Sequence, residues 1–523
     1  MTIVVVGSGL SSISAIKALV NKGVKPLVLD CGIELGKDKK EIVQRLSRLP
    51  SEEWDKKGKE KIVENKTLHD KENFPQKLAF GSDFFYGKSS EHSKTENIGP
   101  EAPYSFAKGG LSVGWGASIL PPADEDLTDW PIGNEVFNKY YPIALKGIPL
   151  SADDDDLKRL FPVYSDSVKS LKRGSGNSKL LSAINKVRKS YSPDEVCFGQ
   201  ARMLTKVTDT DDLSGCSYCG YCMSGCVYNC IYKTITEIDS LVEKKLIDYR
   251  KDIVVKSFSE ENGVVTVTFI NEKNEVRKID VEKVFLGAGA VNSTRIILES
   301  KKLYDKEIRL LSTVAFVVPM IRLFPLPAQW PEMNTQPGIF FEFVAKKLSK
   351  HWIHTQLSTP NELVYEMLNI KEEGDGLFGM LMKYATRHLV IAHCNINSND
   401  SNGYFLTLKS NDVLVTRREY LDSSKRTIKL AAKAVSKFAR KFNCFTLRPM
   451  IKDTISSGGY HVGGTMPMKS YPTEEIHTDL QGRPKNMKNV HVIDSSTFPS
   501  IPGTTIGLIS MANATRIVSE VVK

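Results

Sequence analysis

"TIVVVGSGLSSISAIKALVNKGVKPLVLD", residues 2–30, is the stretch that decides the fold of this chain. A β-branched run ends in Gly-x-Gly, the next segment has apolar residues at helical spacing, and a second apolar run ends at Asp30. This order is typical of a β-α-β unit that binds a dinucleotide, with an acidic residue at the tip of its second strand. The pattern therefore predicts a Rossmann-like domain.

Four residues of this unit have predicted roles in binding the dinucleotide. Gly7 allows the tight turn, and Gly9 lets a pyrophosphate approach the backbone at the helix N-terminus. Asp30 can accept hydrogen bonds from the ribose hydroxyls. Ser12 takes the place of the third glycine of the fingerprint, and it is small enough for close packing of helix on strand.

The composition is that of a globular enzyme. With 523 residues, the chain exceeds one ordinary core, so we expect two domains or one domain with a large insertion. No apolar run approaches the roughly 20 residues that span a bilayer, and no basic segment precedes the first apolar run, so we expect neither a transmembrane segment nor a secretory signal. The net charge of +10 is spread along the chain without a basic stripe, which argues against a nucleic-acid partner. We expect a cytoplasmic protein.

Composition shifts suggest how the rest of the chain is organised. Residues 34–95 are rich in lysine and glutamate and are expected to form an exposed helical insertion, and residues 151–215 are polar and helix-prone. The glycine-rich "FAKGGLSVGWGASILPP", residues 106–122, suits a loop laid against a ligand. Residues 306–454 mix strand-like runs with amphipathic helix and suggest a domain that covers the substrate. Within them, "HWIHTQLSTPNEL", residues 351–363, is interpreted as a polar strand edge, with lining of the substrate pocket as the alternative.

Five of the nine cysteines fall within "CSYCGYCMSGCVYNC", residues 216–230. The first four, Cys216, Cys219, Cys222 and Cys226, have the Cys-x2-Cys-x2-Cys-x3-Cys spacing with which ferredoxin-type segments bind a four-iron cluster, although Val227 replaces the usual proline. Three interpretations stay open: an iron-sulfur cluster, buried or disulfide-linked sulfur, and zinc, which usually takes two separated cysteine pairs.

Several segments together resemble the glucose-methanol-choline (GMC) oxidoreductase family. These are the N-terminal unit, "AKGGLSVGWGA", "FLGAGAVNSTRIIL", "SGGYHVGGTMPM" at residues 457–468 and "NVHVIDSSTFPSIPGTT" at residues 489–505. The resemblance implies FAD as cofactor and an α/β (α+β) fold. It implies a discontinuous Rossmann-like FAD-binding domain and a discontinuous substrate-binding domain with an antiparallel sheet. Their expected ranges are 1–135, 211–300 and 455–523 for the first, and 136–210 and 301–454 for the second.

The resemblance also implies which residues form the site. His461 matches the histidine that takes the alcohol proton, and Thr505 occupies the second catalytic position, where relatives usually have Asn or His. Asp494 matches the residue that hydrogen-bonds the ribityl chain. The other residues implied to contact FAD are Gly109, Gly110, Ser112, Trp115, Gly116, Val255, Gly289 and Ile506.

The activity implied is the oxidation of the CH–OH group of an alcohol or sugar-type substrate by hydride transfer to flavin, with His461 as base. Some glucose and fructose dehydrogenases of the family hold a three-iron cluster on Cys-x5-Cys-x3-Cys, which Cys216, Cys222 and Cys226 reproduce. A 3Fe-4S or 4Fe-4S cluster would let a dehydrogenase pass electrons to an acceptor protein or a quinone. The alternatives are an oxygen-using oxidase of the same fold and a catalytically weakened flavoprotein that serves as an electron carrier or scaffold, which Thr505 motivates.

Overall fold

The computed structural model describes residues 2–64, 78–82, 84–86, 92–208, 214–327, 333–368, 370, 376–453 and 459–523. Parts of the predicted insertion at 34–95, and the first two residues of the 457–468 motif, lie outside the described residues.

The helices of the described residues are α1 (Leu10–Asn21), α2 (Lys37–Leu46), α3 (Lys56–Val63), α4 (Asn134–Phe137), α5 (Tyr141–Leu145), α6 (Ser175–Lys186), α7 (Thr234–Glu243), α8 (Ala290–Ser300), α9 (Glu362–Met367), α10 (Gly376–Thr386), α11 (Asp422–Arg440) and α12 (Gly507–Val521). The strands are β1 (Ile3–Val6), β2 (Leu27–Leu29), β3 (Thr95–Ile98), β4 (Leu150–Ser151), β5 (Val168–Lys169), β6 (Val196–Gln200), β7 (Asp248–Arg250), β8 (Val254–Glu261), β9 (Val264–Ile270), β10 (Val276–Val281), β11 (Lys283–Leu286), β12 (Glu307–Ser312), β13 (Val314–Arg322), β14 (Ile339–Val344), β15 (Trp352–Ser358), β16 (Leu389–Ile396), β17 (Tyr404–Leu408), β18 (Leu414–Arg418), β19 (Cys444–Thr446), β20 (Lys452–Asp453), β21 (Val462–Gly463) and β22 (Val490–Val492).

One of the two main sheets of the fold is parallel. Its strand order is β22-β11-β1-β2-β7, and every neighbouring pair is parallel. The central strand β1 is buried along its whole length, because helices cover both faces of such a sheet. Helix α1 follows β1 and packs against α12 from the far end of the chain. The sheet therefore brings the first and last segments of the sequence together.

The other main sheet is antiparallel. Its main order is β19-β13-β16-β15-β14-β6, with β20 also paired to β13. Even-numbered residues of β13, such as Phe316 and Val318, pack with the apolar face of α11 on one side. Since side chains alternate along a strand, the odd-numbered residues of β13 point to the opposite face, where the site lies. The predicted combination of a Rossmann-like sheet and an antiparallel sheet is confirmed.

Two expectations about the polar segments need correction. The insertion is not exposed throughout: Leu46, Trp54 and Ile62 are buried in one cluster with Tyr221 and Val227 of the cysteine-rich segment. Residues 151–215 are less helical than expected, because the described part contains strands β5 and β6, and β6 completes the antiparallel sheet.

The helices of the described residues include none with the length and apolar character that a membrane crossing needs.

Candidate active site

One large cavity of about 1000 Å³ separates the parallel sheet from the antiparallel sheet. The glycine turn after β1, the glycine-rich loop at 110–116, the start of α8 and the start of α12 line one part of it. Strands β13, β15 and β16 line the other part. A volume of this size is at the upper end for small-molecule and cofactor sites, so the cavity has room for a large cofactor and a substrate together.

Glycines leave room for a ligand at the turn between β1 and α1. Gly7 has φ +92°, and a Cβ there would lie 2.8 Å from the Gly287 carbonyl oxygen, so the tight turn requires glycine. A Cβ at Gly9 would meet no atom within 4 Å and would project into the cavity. Since Gly9 also caps the 12-residue helix α1, free backbone N–H groups and the positive end of the helix dipole lie beside this space. The turn therefore fits a pyrophosphate.

Asp30 lies at the end of β2 and lines the cavity. The hydroxyls of Ser8 and Tyr249 both donate to its Oδ2, the latter at 2.9 Å, so Oδ1 keeps the capacity to accept a further hydrogen bond. Burial raises the pKa of Asp30 to about 6, although these two hydrogen bonds oppose the shift. This arrangement suits an acceptor for ribose hydroxyls.

Asp494 also lines the cavity, but the protein already supplies its hydrogen bonds. Its Oδ2 accepts from the Gly289 N–H at 2.9 Å and the Ser293 hydroxyl at 2.6 Å, and its Oδ1 accepts from the backbone N–H and hydroxyl of Ser496. A carboxylate accepts about four hydrogen bonds, so these donors nearly saturate it. Asp494 therefore ties the start of α8 to the segment after β22, which accounts for its burial without a ligand.

His461 lies at the cavity wall between the two sheets. Its backbone carbonyl accepts a hydrogen bond from the Thr313 N–H at 3.0 Å, which fixes it beside the start of β13. Burial lowers the pKa of the imidazole to about 4, and the nearby His354 and His393 act in the same direction. Its Nδ1 is buried and has no hydrogen-bond partner in the described part of the chain. The ring is neutral near pH 7 and can accept a proton.

Thr505 lines the same part of the cavity, immediately before α12. The Leu120 N–H donates to its hydroxyl oxygen at 3.0 Å, so the hydroxyl proton stays available for a ligand oxygen. Helix α12 begins at Gly507 with Ile506 as its cap, and both residues line the cavity. The free N–H groups of this 15-residue helix can stabilise negative charge there.

The substrate side of the cavity has polar residues close to His461. Gln356 on β15 and His393 on β16 are direct cross-strand partners, and both line the cavity with Asn395. The buried Glu342 accepts from His354 at 2.7 Å, and His354 in turn lies 3.0 Å from the Gln356 amide nitrogen. This chain holds the Gln356 amide in position. Residues 351–363 are therefore not a polar sheet edge, because β15 lies between β14 and β16.

Of the residues that the resemblance assigns to FAD binding and catalysis and those that the N-terminal pattern assigns to the dinucleotide, all but Ser12 and Gly109 line this cavity. Those that line it are Gly7, Gly9, Asp30, Gly110, Ser112, Trp115, Gly116, Val255, Gly289, His461, Asp494, Thr505 and Ile506. Ser12 lies behind the wall, where its hydroxyl donates to the Gly287 carbonyl at 3.0 Å. Gly109 also lies behind it, and its N–H donates to the Ser8 hydroxyl at 2.8 Å. Both therefore shape the turn without facing the cavity.

His351, which the sequence groups with His354 and Gln356, lies apart from them. Its Nδ1 is 3.3 Å from the Asp126 carboxylate, and it does not line the cavity. Thr234 was not predicted: its hydroxyl donates to the Ser8 carbonyl at 2.8 Å and lies 3.1 Å from Ser112. A threonine at a helix start gives no sequence signal for this long-range contact.

The clustered cysteines line a second, small cavity. Cys216, Cys219, Cys222, Cys226 and Cys230 all face it, and all nine cysteines of the chain are free thiols. Across the described ranges, no group of three or more His, Cys, Asp or Glu side chains has an arrangement that could hold a metal ion. The five thiols thus converge without forming a single-ion site.

Backbone and amide donors point at three of these sulfurs. The Thr335 N–H lies 3.4 Å from Cys222 Sγ, the Asn334 amide 3.5 Å from Cys216 Sγ, and the Cys230 N–H 3.1 Å from Cys226 Sγ. The Cys230 thiol also donates to Cys226, which lowers the pKa of Cys226, whereas burial raises the pKa of Cys219 to about 12. Asn334 lines the small cavity and Thr335 the large one, so one short segment separates the two.

Comparisons with known proteins agree with this architecture. Residues 408–514 match the family model described as GMC oxidoreductase. A search of the curated proteins finds no match. Among solved structures, the chain is similar to a pyridoxine 4-oxidase from Mesorbium loti, with 12% identity, a TM-score of 0.62 and 99% of each chain covered. At this identity the likeness shows the fold. The resemblance to the GMC oxidoreductases that the sequence motifs predict is therefore confirmed.

Proposed function

We propose that the chain is an FAD-dependent dehydrogenase that oxidises the CH–OH group of an alcohol or sugar-type substrate. The observation that carries the proposal is the placement of a neutral imidazole, His461, in one cavity with a glycine turn that fits a pyrophosphate. The similarity to a pyridoxine 4-oxidase, which by its name oxidises an alcohol, supports the same reaction class.

The residues present fit FAD. Gly7, Gly9 and the α1 N-terminus would hold the pyrophosphate, with Gly110 packed beside Gly9 and with Ser112, Trp115 and Gly116 also lining the cavity. Asp30 would accept the ribose hydroxyls through Oδ1, and Val255 would lie beside the adenine. Gly289 and Ile506 would approach the cofactor with their backbones. When bound, FAD supplies the hydride acceptor of the reaction.

The chain's own residues would position the substrate and move its proton. His461 takes the hydroxyl proton on Nε2, because the ring is neutral and its other nitrogen, Nδ1, is buried. The Thr505 hydroxyl donates to the substrate oxygen and holds it beside His461. The alcohol carbon loses a hydride as the oxygen loses its proton, so the product is a carbonyl compound. The α12 N-terminus stabilises the negative charge that hydride transfer brings to this side of the cavity.

Anaerobic mixing of the FAD-loaded protein with alcohols and sugars tests this proposal. We expect substrate-dependent loss of flavin absorbance at about 450 nm. A scaffold or electron carrier would show no bleaching by any member of the panel, which would contradict the proposal. Hydrogen peroxide release in air then separates the oxidase alternative from the dehydrogenase, since an oxidase passes its electrons to oxygen.

As a second candidate feature, we propose an iron-sulfur cluster at the cysteine segment. The convergence of five thiols on one cavity supports it, and so do the N–H groups aimed at their sulfurs, since hydrogen bonds to sulfur are common around such clusters. Cys216, Cys219, Cys222 and Cys226 would be the ligands of a 3Fe-4S or 4Fe-4S cluster that passes electrons to an acceptor protein or quinone.

Iron and sulfide analysis with electron paramagnetic resonance of anaerobically purified protein tests the cluster. We expect a paramagnetic signal that Cys222→Ser removes, while Cys394→Ser, at a buried cysteine of the antiparallel sheet, keeps it. Iron-free protein with a full flavin content would show that the thiols are structural.

Two further expectations stay proposals. The division into an FAD-binding domain at 1–135, 211–300 and 455–523 and a substrate-binding domain at 136–210 and 301–454 follows the resemblance. A cytoplasmic location agrees with the free thiols, which a reducing compartment preserves.

A further inference from the structure

Helix α10 has an exposed apolar surface that the rest of the described chain does not cover. Its residues Leu377, Phe378, Met380, Leu381 and Tyr384 are between 52% and 75% exposed. Single exposed apolar residues are ordinary, but five on one 11-residue helix form a contiguous patch of the kind that marks an interaction surface.

The exposed surface continues onto the end of the antiparallel sheet. The Leu326 N–H donates to the Arg387 carbonyl at 2.8 Å and the Arg322 N–H to the His388 carbonyl at 2.7 Å, which fixes the end of α10 beside the end of β13. Leu323, Phe324 and Phe445 are exposed there, and Ile321, the cross-strand partner of Phe445, adds to them. We call this surface, α10 together with these four residues, the docking face.

The cavity opens toward the docking face. Along β13, Thr313 lies beside His461, and Ala315, Val317 and Pro319 line the cavity floor in succession. At about 3.3 Å per residue, this floor runs roughly 20 Å from His461 toward Ile321. Leu389 and Ile391 on β16 continue the apolar floor. The cavity is thus polar near His461 and mostly apolar toward the docking face, where Ser358, opposite Ile391, and Lys452, opposite Val317, are the polar members of its lining.

Leu368 and Met450 are among the residues that both line the cavity and are exposed, as are Lys452 and Tyr460. Leu368, just after α9, and Met450 line the cavity, and they are 42% and 57% exposed. They mark where the apolar part of the cavity meets the outside. A ligand with a long apolar tail could therefore enter past these two side chains.

The charge around the docking face is positive. Segments 321–327, 376–390 and 440–452 contain no Asp or Glu, and together they hold Arg322, Lys383, Arg387, Arg440, Lys441, Arg448 and Lys452. Residues 371–375, which precede α10 and lie outside the described ranges, include three acidic residues and one lysine. An apolar helix face flanked by basic residues is the pattern of helices that lie in the interface of an anionic membrane.

We infer that the docking face rests on an anionic lipid surface and that the substrate is an alcohol with a long apolar tail, which reaches His461 from the bilayer. The substrate part of this inference rests on the proposed function, whereas the lipid-binding part does not. The tail lies along Val317, Pro319 and Ile391, and the hydroxyl meets His461, Gln356 and Asn395.

Flotation of the FAD-loaded protein with vesicles tests the lipid-binding part. We expect it to float with vesicles containing about one third phosphatidylglycerol, and at least about tenfold less with pure phosphatidylcholine, because each basic residue near an anionic surface adds attraction. Phe378→Asp with Leu381→Asp should reduce flotation at least about tenfold. Tyr471→Asp is the matched control, since Tyr471 is 87% exposed in the loop after Met468, away from the docking face.

The lipid-binding part would be overturned if the wild type did not float, or if Tyr471→Asp reduced flotation as much as the double variant does. It would also be overturned if the protein sedimented as a dimer that Phe378→Asp with Leu381→Asp dissociates, because the docking face would then be a contact between two copies of the chain. Flavin bleaching by a series of primary alcohols tests the substrate part. We expect 1-decanol to give a kcat/KM at least about a hundredfold above ethanol, because each buried methylene adds apolar contact. No rise with chain length would overturn it. No bleaching by any alcohol, with flotation intact, would instead contradict the proposed function.

Discussion

His461 shows how burial prepares a single residue for its role. An exposed imidazole titrates near 6.5, but burial and the neighbouring His354 and His393 lower the pKa of this one to about 4. A base must be neutral to accept a proton, so a lowered pKa keeps it active at more acidic pH. Burial thus keeps the resting ring in the neutral form that can accept a proton.

The first prediction concerns pH. Because the neutral ring is the active form, kcat/KM should be level down to about pH 5 and should fall about tenfold per pH unit below about pH 4. Flavin reduction measured by stopped flow over a pH series checks this. An acidic limb near pH 6.5, as for an ordinary exposed imidazole, would contradict the burial argument.

The second prediction concerns Thr505. Thr505→Val removes the hydroxyl that donates to the substrate oxygen, so the flavin reduction rate should fall by about tenfold to a hundredfold. Thr505→Ser keeps the donor and should retain most of the rate. If the valine variant raises only KM and leaves kcat intact, Thr505 binds the substrate without acting on the transition state.

At the scale of elements, the turn between β1 and α1 could be predicted and the substrate side could not. Gly7, Gly9 and Asp30 lie within one short unit, so local spacing and glycine chemistry reveal it. The pairing of Gln356 with His393 depends on the register between β15 and β16, which local sequence does not encode. The exposed face of α10 could not be predicted from the sequence, because an apolar helix normally indicates burial and only the structure shows that this face is exposed.

The third prediction compares two glycine variants at opposite ends of α1, one expected to weaken FAD binding and the other to lower the stability of the fold. Gly9→Val places a side chain in open cavity space, so FAD affinity should fall at least about tenfold while the apoprotein melts as before. Gly23→Ala, just past the other end of the same helix, is strained at φ +75° and should lower the melting temperature by about one or two degrees with FAD binding intact. Flavin titration and thermal melting check both. Equal FAD affinity of the two variants would rule out the turn as the pyrophosphate site.

At the scale of the whole molecule, the cavity lies between the parallel and the antiparallel sheet, so a ligand bound in it contacts both. Its lining comes from the first, middle and last parts of the chain, from Val6 to Ser510. A ligand that binds there contacts only the folded protein, so its binding free energy adds to the free energy of unfolding.

The fourth prediction follows from this linkage. FAD at about a hundredfold above its Kd should add about 2.7 kcal/mol to the free energy of unfolding, and AMP, which reaches only the ribose end of the site, should add less at the same concentration. Thermal melting of the apoprotein with each ligand measures the difference. A melting temperature that does not respond to FAD would place the cofactor elsewhere or exclude it.

The most direct test of the central claim is anaerobic stopped-flow reduction of the FAD-loaded protein by an alcohol, with wild type and His461→Gln compared. We predict that the wild type bleaches at about 450 nm and that the variant keeps its flavin but bleaches about a hundredfold to ten-thousandfold more slowly. Bleaching of the variant at the wild-type rate, or a wild type that binds no flavin, would contradict the claim that His461 and FAD share this cavity and its reaction.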